Sequence, residues 1–411
     1  MELLQVLPFK KTTIVRGEGS RVFDSNGKVY IDLLSGYWCN VLGYSHLDFI
    51  LPVSKQISRL TNVMSSFTTI EVEEALKELE KILPPQLNRV TFLSSGSEAV
   101  DLALKMARAA TGRTGVVVNE SGYYGATSYP FSLSAAGRTA KYLPDPGEVH
   151  RVQAPHCYRC PYGSRENCKS FKCLDSLQKL VEDMNSNIAA IMYEPILGYG
   201  ILVPPIGYGA KLQKYAKALR AYLIAEEVTT APAKTGHWFA FQHDGIVPDI
   251  LVLGKGIGNG FPVSLVVTTS EVEERCLNTV RHVQSHQNDA LSGKVVKTVL
   301  SIIKEQNLVE HVARKGEYWL KELKKLQAEF SIIEDVRGRG LIFGLQLSKD
   351  KALLGDLIQN KLFDEGFITD FHSGSNTFRF FPPYVITVEE IDSFNEALRN
   401  VLTSIEETST R

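Results

Sequence analysis

The stretch DILVLGKGIGNGFP, residues 249–262, is an apolar strand pattern that ends on a charged residue. Lys255 follows the strand directly, although lysine is rarely buried because its charge is costly away from water. In a partly apolar site a lysine has a lowered pKa and can act as a nucleophilic amine, which forms a Schiff base with a carbonyl group. Alternate glycines from Gly254 to Gly260 let the backbone pass close to a flat ligand. Their G-x-G-x-G spacing differs from the dinucleotide-binding pattern G-x-G-x-x-G.

Other short apolar runs also read as strands, and they alternate with helical patterns along the chain. They are RVTFL (Arg89–Leu93), IAAIMYEP (residues 188–195) and AYLIAEEV (residues 221–228). This alternation predicts an α/β fold, with a mainly parallel sheet covered by helices on both faces. Ligands bind at the carboxyl ends of the strands in such sheets, so the residues after each strand are candidates for a site. After about residue 290 the pattern predicts a smaller α+β domain.

Ser95, Gly96 and Ser97 follow the strand RVTFL and stand at the start of a predicted helix that Gly112 closes. The first turn of a helix has free amide donors, and a phosphate group fits there. Plain N-capping by a serine side chain explains the same residues equally well.

Carboxylates end two of the other strands. Glu226 closes an apolar strand, where a buried carboxylate needs a cationic or hydrogen-bonding partner. It is either half of a structural ion pair or an anion that holds a proton on a cofactor nitrogen. Glu194 also stands at a strand end, but alone it decides little. A phosphate cradle, a carboxylate and a lysine on successive strand ends suit pyridoxal 5'-phosphate, which has a phosphate, a pyridine nitrogen and an aldehyde.

The composition excludes several classes of protein. The chain has 411 residues, with 45 basic against 46 acidic, so it has no strong field for nucleic acid or an anionic membrane. Its apolar runs are too short for a transmembrane helix, and its N-terminus does not resemble a signal peptide. We therefore expect a cytoplasmic protein that binds small molecules.

Four of the six cysteines lie close together in the segment HCYRCPYGSRENCKSFKC. Cys157, Cys160, Cys168 and Cys173 are either zinc ligands or reduced thiols of a surface loop. The uneven spacing of the second pair favours the reduced loop, and we expect no metal.

Longer motifs resemble the class III pyridoxal-phosphate aminotransferases over nearly the whole chain. These motifs are RVFDSNGKVYIDLLSG, FLSSGSEAVDLALKMAR, GYYGAT, YEPILGYGILVPP, the stretch from LIAEEV to GKGIGNGFP, VRGRGLIFGLQL and FRFFPPYVIT. The resemblance implies fold type I, with a large domain built on a mainly parallel seven-stranded sheet. It places the large pyridoxal-phosphate domain at residues 51–305. The small α+β domain is then formed by residues 1–50 and 306–411. It also implies a homodimer with active sites at the interface.

The resemblance implies roles for the residues that bind the cofactor. Lys255 forms the Schiff base and later moves a proton, so it is catalytic. Gly96 and Ser97 bind the phosphate from the helix N-terminus. Tyr123 stacks on the pyridine ring, and Val228 packs on the other face of the ring.

Further roles concern the ring nitrogen, the neighbouring subunit and the substrate. Glu226 pairs with the ring nitrogen, and Ser285 reaches the phosphate of the neighbouring subunit. Arg379 is where many members bind the substrate carboxylate, although it is also a candidate for a salt bridge that braces the small domain. Glu194 lies near the substrate. The aromatic Trp38 is a candidate for the pocket wall.

The chain departs from the family at several positions. Glu226 replaces the usual aspartate, Tyr124 a histidine, Thr229 a glutamine and Lys234 an arginine. No indispensable group is lost, since a glutamate still stabilises a pyridinium. These changes suggest a divergent branch, in specialised metabolism.

The resemblance implies an aminotransferase with ping-pong kinetics. It moves an amino group from a donor, glutamate or alanine, to an aldehyde or ketone. The alternatives in the same family are an amino-acid epimerase and an aminomutase, and neither is excluded by the sequence. A non-catalytic scaffold is a third hypothesis, against which the retained Lys255 argues.

Overall fold

The secondary structure begins with short strands and continues as an alternation of strands and helices. A computed structural model describes residues 4, 6, 10–163, 168–183 and 186–409. Its strands are β1 (Ile14–Glu18), β2 (Arg21–Asp24), β3 (Val29–Asp32), β4 (Arg89–Leu93), β5 (Gly115–Asn119), β6 (Val149–Val152), β7 (Ile188–Tyr193), β8 (Tyr222–Glu226), β9 (Ile250–Leu253), β10 (Ser264–Thr268), β11 (Ile333–Arg339), β12 (Ile342–Leu347), β13 (Phe367–Ile368), β14 (Asp370–His372) and β15 (Thr377–Phe380).

The helices are of two kinds. The α-helices are α1 (Ser35–Trp38), α2 (Leu47–Ile57), α3 (Ile70–Glu80), α4 (Gly96–Thr111), α5 (Ser128–Leu133), α6 (Asp175–Glu182), α7 (Tyr208–Leu219), α8 (Ser270–Cys276), α9 (Ala290–Glu305), α10 (Leu308–Glu329), α11 (Gly355–Asp364) and α12 (Val388–Ser409). Short 3-10 turns lie at Ala136–Thr139, Cys157–Arg159, Lys172–Leu174, Ala240–Asp244, Lys255–Gly258, Lys349–Leu354 and Ser373–Ser375.

The central sheet has seven strands in the order β4-β10-β9-β8-β7-β5-β6. Only β10 runs antiparallel to its neighbours in this sheet, while β9, β8, β7, β5 and β6 pair in parallel. The predicted α/β fold with a mainly parallel seven-stranded sheet is therefore confirmed. Because β4 and β9 both pair antiparallel with β10, their carboxyl ends lie at the same edge of the sheet as those of β7 and β8.

Successive residues of the central strands pack on opposite faces of this sheet. Val117 and Leu251 belong to one apolar cluster, which α7 and α9 complete. Val116 and Val252 belong to another cluster, which α4 covers. Burial of both faces explains why these strands are continuously apolar in sequence.

Two further sheets, each of four strands, contain the ends of the chain. One has the order β1-β2-β3-β13 and joins the N-terminal strands to the C-terminal strand β13. The other has the order β11-β12-β15-β14 and packs around the buried Trp319. Within the described residues, the structure has no helix with both the length and the apolar character needed to cross a bilayer.

Candidate active site

A cavity of about 340 Å³ opens at the carboxyl edge of the central sheet. Most of its lining residues come from the loops after β4, β8 and β9 and from the segment after β5, and Cys39 comes from the end of α1. They are Cys39, Ser94, Ser95, Gly96, Ser97, Tyr123, Tyr124, Gly125, Glu226, Val228, Thr229, Lys255, Gly260, Phe261, Pro262 and Val263. The strand ends that the sequence singled out thus meet at one place.

The start of α4 forms one wall of the cavity. Ser95 caps this helix, and its Oγ accepts a hydrogen bond from the amide of Glu98 at 3.3 Å. Serine capping, the alternative interpretation, is therefore present, and it leaves the other amides of the first turn without a partner inside the helix. A Cβ on Gly96 would lie 3.0 Å from the side chain of Val228, so a larger residue would fit here only if Val228 shifted. The wall combines close approach of backbone with free amide donors, which suits an anionic group.

Lys255 begins the 3-10 turn after β9, and its amine lies against the cavity. Its Nζ donates a hydrogen bond to Oγ1 of Thr229 at 3.1 Å and lies 4.4 Å from the ring centroid of Trp38. Burial lowers the pKa of Lys255, and the negative charge of Glu226 partly offsets this effect. A larger fraction of the amine is therefore uncharged near neutral pH than for a lysine in water, and an uncharged amine is both a base and a nucleophile.

Glu226 ends β8 as a buried carboxylate in the cavity wall. Its Oε1 accepts a hydrogen bond from the amide of Val228 at 3.2 Å, and no hydrogen bond to its Oε2 is found among the described residues. Burial raises the pKa of Glu226 to about 7, against the opposing effect of Lys255. A cationic group in the cavity would stabilise the ionised carboxylate.

The adjacent Glu227 has a different environment. It is fully buried, and its two oxygens accept hydrogen bonds from the amides of Ala240 and Phe241 and from the hydroxyl of Thr230, at 2.7–2.8 Å. Both oxygens are thus occupied by the protein itself. Of these two adjacent glutamates, Glu226 is the one that keeps an oxygen without a hydrogen bond from the described residues, so it can serve a ligand.

Glu194, predicted to lie near the substrate, is buried beside the site and does not line the cavity. Its carboxylate accepts hydrogen bonds from the amides of Tyr123 at 3.0 Å and Gly198 at 3.3 Å. Burial, together with the charge of Glu226, raises the pKa of Glu194 well above its usual range. The residue holds the loop of Tyr123 and the loop after β7 in place, so its visible role is in positioning.

The two tyrosines after β5 differ in their surroundings. Tyr123 is 41% exposed and lines the cavity, where a flat ring can stack on it. Tyr124 is buried, and its hydroxyl accepts a hydrogen bond from the amide of Asn119 at 2.9 Å. The hydroxyl of Tyr124, which stands where the family usually has histidine, is therefore occupied in the core. Val228 also lines the cavity, and its side chain lies against Gly96 and Gly254.

Trp38 is presented by an unusual turn. The residues of α1 from Ser35 to Trp38 all have positive φ, between 45° and 75°, so this segment is a left-handed turn. The carboxylate of Asp32 accepts hydrogen bonds from the amides of Leu34 and Gly36, at 2.8 and 2.7 Å, and from the hydroxyl of Tyr44, at 2.6 Å. Nothing in the sequence pattern indicated this turn.

Arg379, the predicted carboxylate-binding residue, lies on β15 beside Trp38, the predicted pocket-wall residue, and neither is among the residues that line the cavity. Its guanidinium carbon is 4.8 Å from the ring centroid of Trp38. The salt bridge that the sequence analysis kept as an alternative exists, since Arg379 pairs with Asp370 at 2.5–2.6 Å. The sequence analysis did not predict Asp370 as the partner of Arg379. The short hairpin that joins β14 to β15 places the two residues opposite each other and could have indicated the pair.

Ser285 does not reach the cavity of its own chain. It is exposed, and its carbonyl oxygen accepts a hydrogen bond from the side chain of Asn62 at 2.7 Å. Its predicted role at the phosphate of a neighbouring subunit stays a prediction.

The loop that contains the four cysteines lies away from the site. Cys157, Cys160, Cys168 and Cys173 line a small common cavity, and no disulfide joins them. Burial and the neighbouring thiols raise the pKa of Cys157 to about 12 and that of Cys173 to about 11. Among the described residues, no group of three or more His, Cys, Asp or Glu side chains is spaced to hold a metal ion. The reduced loop stays the prediction from the sequence.

A larger cleft, of about 940 Å³, lies between α10, β11 and the loop around Pro204. Arg337 lines it but is already bonded to the carbonyl oxygens of Gly200 and Ile201. We place the active site in the smaller cavity, because the buried carboxylate, the amine and the helix start converge there.

Lys234, where the family usually has arginine, is buried near this site. Its Nζ donates a hydrogen bond to the carbonyl oxygen of Pro382 at 3.1 Å and lies 5.0 Å from the ring centroid of Tyr384. Burial lowers the pKa of Lys234 to about 7, although the neighbouring Cys39 and Asp32 act in the opposite direction.

We expect a Lys234→Met variant to change how stability depends on pH. Between pH 7 and 10 the unfolded chain holds a proton on Lys234 that the folded chain has released, so wild-type stability rises with pH there. The variant has no amine at this position, so it lacks this pH-dependent contribution to the free energy of unfolding and has no buried charge there. Its stability advantage over the wild type should therefore be largest at pH 6 and shrink by about 2–4 kcal/mol by pH 9.5. Urea unfolding of both proteins at the two pH values measures the difference, and a constant difference would contradict the prediction.

The cavity as a whole fits pyridoxal 5'-phosphate. The first turn of α4 would hold the phosphate, Tyr123 and Val228 the two faces of the ring, Glu226 the ring nitrogen and Lys255 the aldehyde. The fit rests on the close approach of the Gly96 backbone to Val228, and on the Glu226 oxygen for which the described residues provide no hydrogen bond.

Comparison with known proteins gives one matching family and several similar relatives. Residues 6–402 match the model of a family described as aminotransferase class-III. An uncharacterized aminotransferase of Schizosaccharomyces pombe is 32% identical, over 96% of this chain and 91% of the relative. A leucine/methionine racemase of Thermococcus litoralis is 29% identical, again over 96% and 91%. An amine transaminase from an uncultivated Pseudomonas species, solved with bound pyridoxal phosphate, superposes with a TM-score of 0.90 at 25% identity, over 96% of this chain and 95% of that one.

Proposed function

Because this chain belongs to the class III aminotransferases, enzymes that depend on pyridoxal 5'-phosphate, we propose that it transfers an amino group from an amino-acid donor to an aldehyde or ketone acceptor. The donor is glutamate or alanine, and the reaction follows a ping-pong course. The observation that carries the proposal is the half-buried, hydrogen-bonded amine of Lys255 at the edge of a cavity that is also lined by Glu226 and the start of α4. The departures at Glu226, Tyr124 and Thr229 support a role in specialised metabolism.

The chain's own groups divide the work of such a reaction. The cofactor, when bound, supplies the carbonyl carbon and an aromatic ring that accepts electrons. The uncharged amine of Lys255 removes the proton from the substrate Cα and returns a proton to the carbon that the cofactor supplies. Thr229 orients this amine through its hydroxyl oxygen, at 3.1 Å. Glu226 holds a proton on the ring nitrogen by its negative charge, and Trp38 limits the access of water.

A titration followed by visible absorption tests the proposal. The purified protein is loaded with cofactor, and L-glutamate and then L-alanine are added. We expect one of them to convert the visible band of the bound cofactor to the band of its aminated form. If neither amino acid converts the band, the proposed donors are wrong.

An amino-acid epimerase or an aminomutase is the alternative function. The observation that favours an epimerase is the similarity to the leucine/methionine racemase of T. litoralis. An epimerase would turn L-alanine into D-alanine without consuming a carbonyl acceptor, and an aminotransferase needs the acceptor for turnover. Chiral chromatography of the amino acid, with and without pyruvate or 2-oxoglutarate, separates the two.

The proposal includes a homodimer, which an apolar surface near Ser285 supports. Exposed side chains include Leu51 and Met64, at 65% and 67% exposure, and Val283 at 87%. Asn62 joins the segment before α3 to the Ser285 loop through its hydrogen bond. A second copy covering this surface would shield the apolar side chains and carry each Ser285 toward the partner.

Arg379 is proposed to bind the carboxylate of the amino-acid donor. An Arg379→Ala variant should then weaken the half-reaction with L-alanine by about 10- to 100-fold, since a charge-assisted hydrogen bond is lost. An amine without a carboxylate should be affected much less. Single-turnover rates for both substrates measure the difference, and equal losses would point to a purely structural role.

A further inference from the structure

The larger cleft, of about 940 Å³ between α10, β11 and the loop around Pro204, has the edge of a sheet as one wall. β11 is the outermost strand of its sheet, and among the described residues its one strand partner is β12. All residues from Glu334 to Arg339 line the cleft. The free edge of a strand presents backbone N–H and C=O groups that can pair with another extended chain.

The pairing of β11 with β12 determines which backbone groups point into the cleft. Arg339 and Ile342 face each other across a two-residue turn, so they form the hydrogen-bonded pair that closes the hairpin. Hydrogen-bonded pairs alternate along antiparallel strands, so Val336 and Gly338 direct their N–H and C=O groups away from β12. Among the described residues, no backbone group outside the sheet is hydrogen-bonded to these two residues. An extended chain in the cleft would therefore find them unpaired.

Two arginines of β11 differ in their partners. Arg337 and Arg339 are two residues apart, so their side chains leave the same face of the strand. The guanidinium of Arg337 donates to the carbonyl oxygens of Ile201 and Gly200 at 2.7 and 2.5 Å, and to the carboxylate of Asp335 at 2.8 Å. Arg339 is half-buried, and the described residues provide its guanidinium with no hydrogen bond and no ion pair. A partly buried guanidinium keeps its charge, which is costly without an anionic partner.

Asp244 is an acidic neighbour of Arg339, but its oxygens are occupied by other donors. Oδ2 accepts hydrogen bonds from the hydroxyl of Tyr193 at 2.6 Å and from the amide of Gly209 at 3.0 Å. Oδ1 accepts a hydrogen bond from the amide of Gly207 at 2.6 Å. An anion from outside the chain would supply the partner that Arg339 lacks.

The other charges that line the cleft favour the same kind of ligand. Its two acidic residues each pair with an arginine, at 3.8 and 2.8 Å. Lys324, on α10, is exposed and has no ion pair among the described residues. Two cations of the cleft, Lys324 and Arg339, are thus left without an anion, so the cleft is complementary to an acidic ligand.

The loop that forms the third wall is apolar. Leu202 to Ile206 line the cleft, and within this run Pro204 and Pro205 have no N–H group to donate. The side chain of Ile206 is 61% exposed. A chain in the cleft would pair with β11 and pack apolar side chains against this loop.

We propose that this cleft binds an extended, acidic segment of a partner protein, which adds to the free edge of β11 as a further strand. The backbone groups of Val336 and Gly338 pair with the segment. An acidic side chain of the segment binds Arg339, and the charge of Lys324 attracts the segment to the cleft. The proposal concerns a partner and stands apart from the amino-transfer reaction.

A synthetic peptide tests the proposal on the cofactor-loaded protein. The probe is a fluorescent nonapeptide of alternating glutamate and valine with blocked ends, and fluorescence anisotropy measures its affinity. Arg339→Gln should weaken binding by about tenfold or more, since a charge-assisted hydrogen bond is lost. Lys324→Gln, which removes an exposed charge, should weaken it by about threefold. No binding to the wild type, or equal binding to the wild type and Arg339→Gln, would overturn the proposal.

Two control variants separate the cleft from the rest of the surface. Lys325 is next to Lys324 but pairs with Glu322 at 2.7 Å and does not line the cleft, so Lys325→Gln should leave binding unchanged. Arg339→Lys keeps the charge and should bind the peptide within about threefold of the wild type. Circular dichroism checks the fold of each variant. If Lys325→Gln weakens binding as much as Arg339→Gln, the peptide binds elsewhere and the proposal is wrong.

Two further measurements on the wild type separate strand addition from charge attraction. The same peptide with a methyl group on every backbone nitrogen keeps its charge but donates no backbone hydrogen bond, so it should bind at least about tenfold more weakly. Hydrogen exchange of residues 334–339 should slow when the unmodified peptide binds, because the amides of Val336 and Gly338 become paired. Equal affinity of the two peptides, or unchanged exchange, would contradict strand addition.

Other occupants of the cleft would give different results. Free glutamate that displaces the peptide at equal concentration would reveal a site for small anions. A smaller oligomer of Arg339→Gln than of the wild type, in sedimentation velocity, would reveal a contact between copies of this chain. Either result would overturn the proposal, and none of these measurements depends on turnover, so their outcome is independent of the proposed amino-transfer reaction.

Discussion

A Lys255→Ala variant is expected to lose turnover by about 10⁴-fold while it keeps its fold. The amine of Lys255 is the proposed base, it donates a hydrogen bond to Thr229 at 3.1 Å, and its pKa is lowered by burial. Alanine provides neither a base nor a nucleophile. Steady-state turnover with L-alanine and pyruvate measures the loss, and circular dichroism checks the fold. Methylamine added to the variant should restore part of the activity, because a small free amine can occupy the space that the side chain leaves.

A half-buried lysine outside the cavity, Lys315, provides the control. Lys315 donates hydrogen bonds to the carbonyl oxygens of Tyr384 and Ile386, at 3.0 and 2.6 Å, and does not line the cavity. Lys315→Met should cost stability and leave turnover per folded molecule within about threefold. If Lys255→Ala keeps more than a tenth of wild-type turnover, the assignment of Lys255 as the base is wrong.

Glu226→Gln should reduce turnover by about 10²–10³-fold with the cofactor still bound. The amide has nearly the shape of the carboxylate and can keep the contact with the amide of Val228. It cannot supply the negative charge that is proposed to hold a proton on the ring nitrogen, so a bound cofactor would accept electrons less well. The visible absorption of the purified variant reports bound cofactor, and single-turnover kinetics with L-alanine report the rate.

Glu227 offers a matched control one residue away. Glu227→Gln disturbs hydrogen bonds to Ala240 and Phe241, so it should lower the unfolding midpoint and leave the single-turnover rate of the folded protein nearly unchanged. Glu226→Asp restores the residue that the family usually has and should keep most of the activity. Equal turnover of Glu226→Gln and the wild type would rule out the electrostatic role of Glu226.

The placement of the strand-end residues was predictable because it depends on local patterns. The apolar runs before Gly96, Glu226 and Lys255 became β4, β8 and β9, and the parallel arrangement brought their carboxyl ends to one edge. The capping of α4 by Ser95 and its end at Gly112, which has φ of 69°, also follow from local residue preferences.

Contacts made by tertiary packing were not predictable in the same way. The pairing of Lys255 with Thr229 depends on how two loops meet, and the burial of the Tyr124 hydroxyl depends on the end of β5. The ion pair of Asp370 with Arg379 depends on strand register, which a sequence states only weakly for two short strands. Ser285, the division into domains at residues 50 and 305 and the dimer stay predictions.

The left-handed turn that presents Trp38 has a consequence for how this enzyme can change. Non-glycine residues at Ser35, Tyr37 and Trp38 with positive φ cost roughly 1–2 kcal/mol each. A laboratory screen for heat resistance alone would therefore enrich glycine at these positions. Glycine would remove the conformational cost of positive φ, and it would also remove the aromatic side chains of Tyr37 and Trp38. Selection for catalysis acts in the opposite direction, since it preserves the side chains. A library in which Asp32 is held fixed and residue 38 is varied under activity selection would explore new pocket shapes on an unchanged backbone.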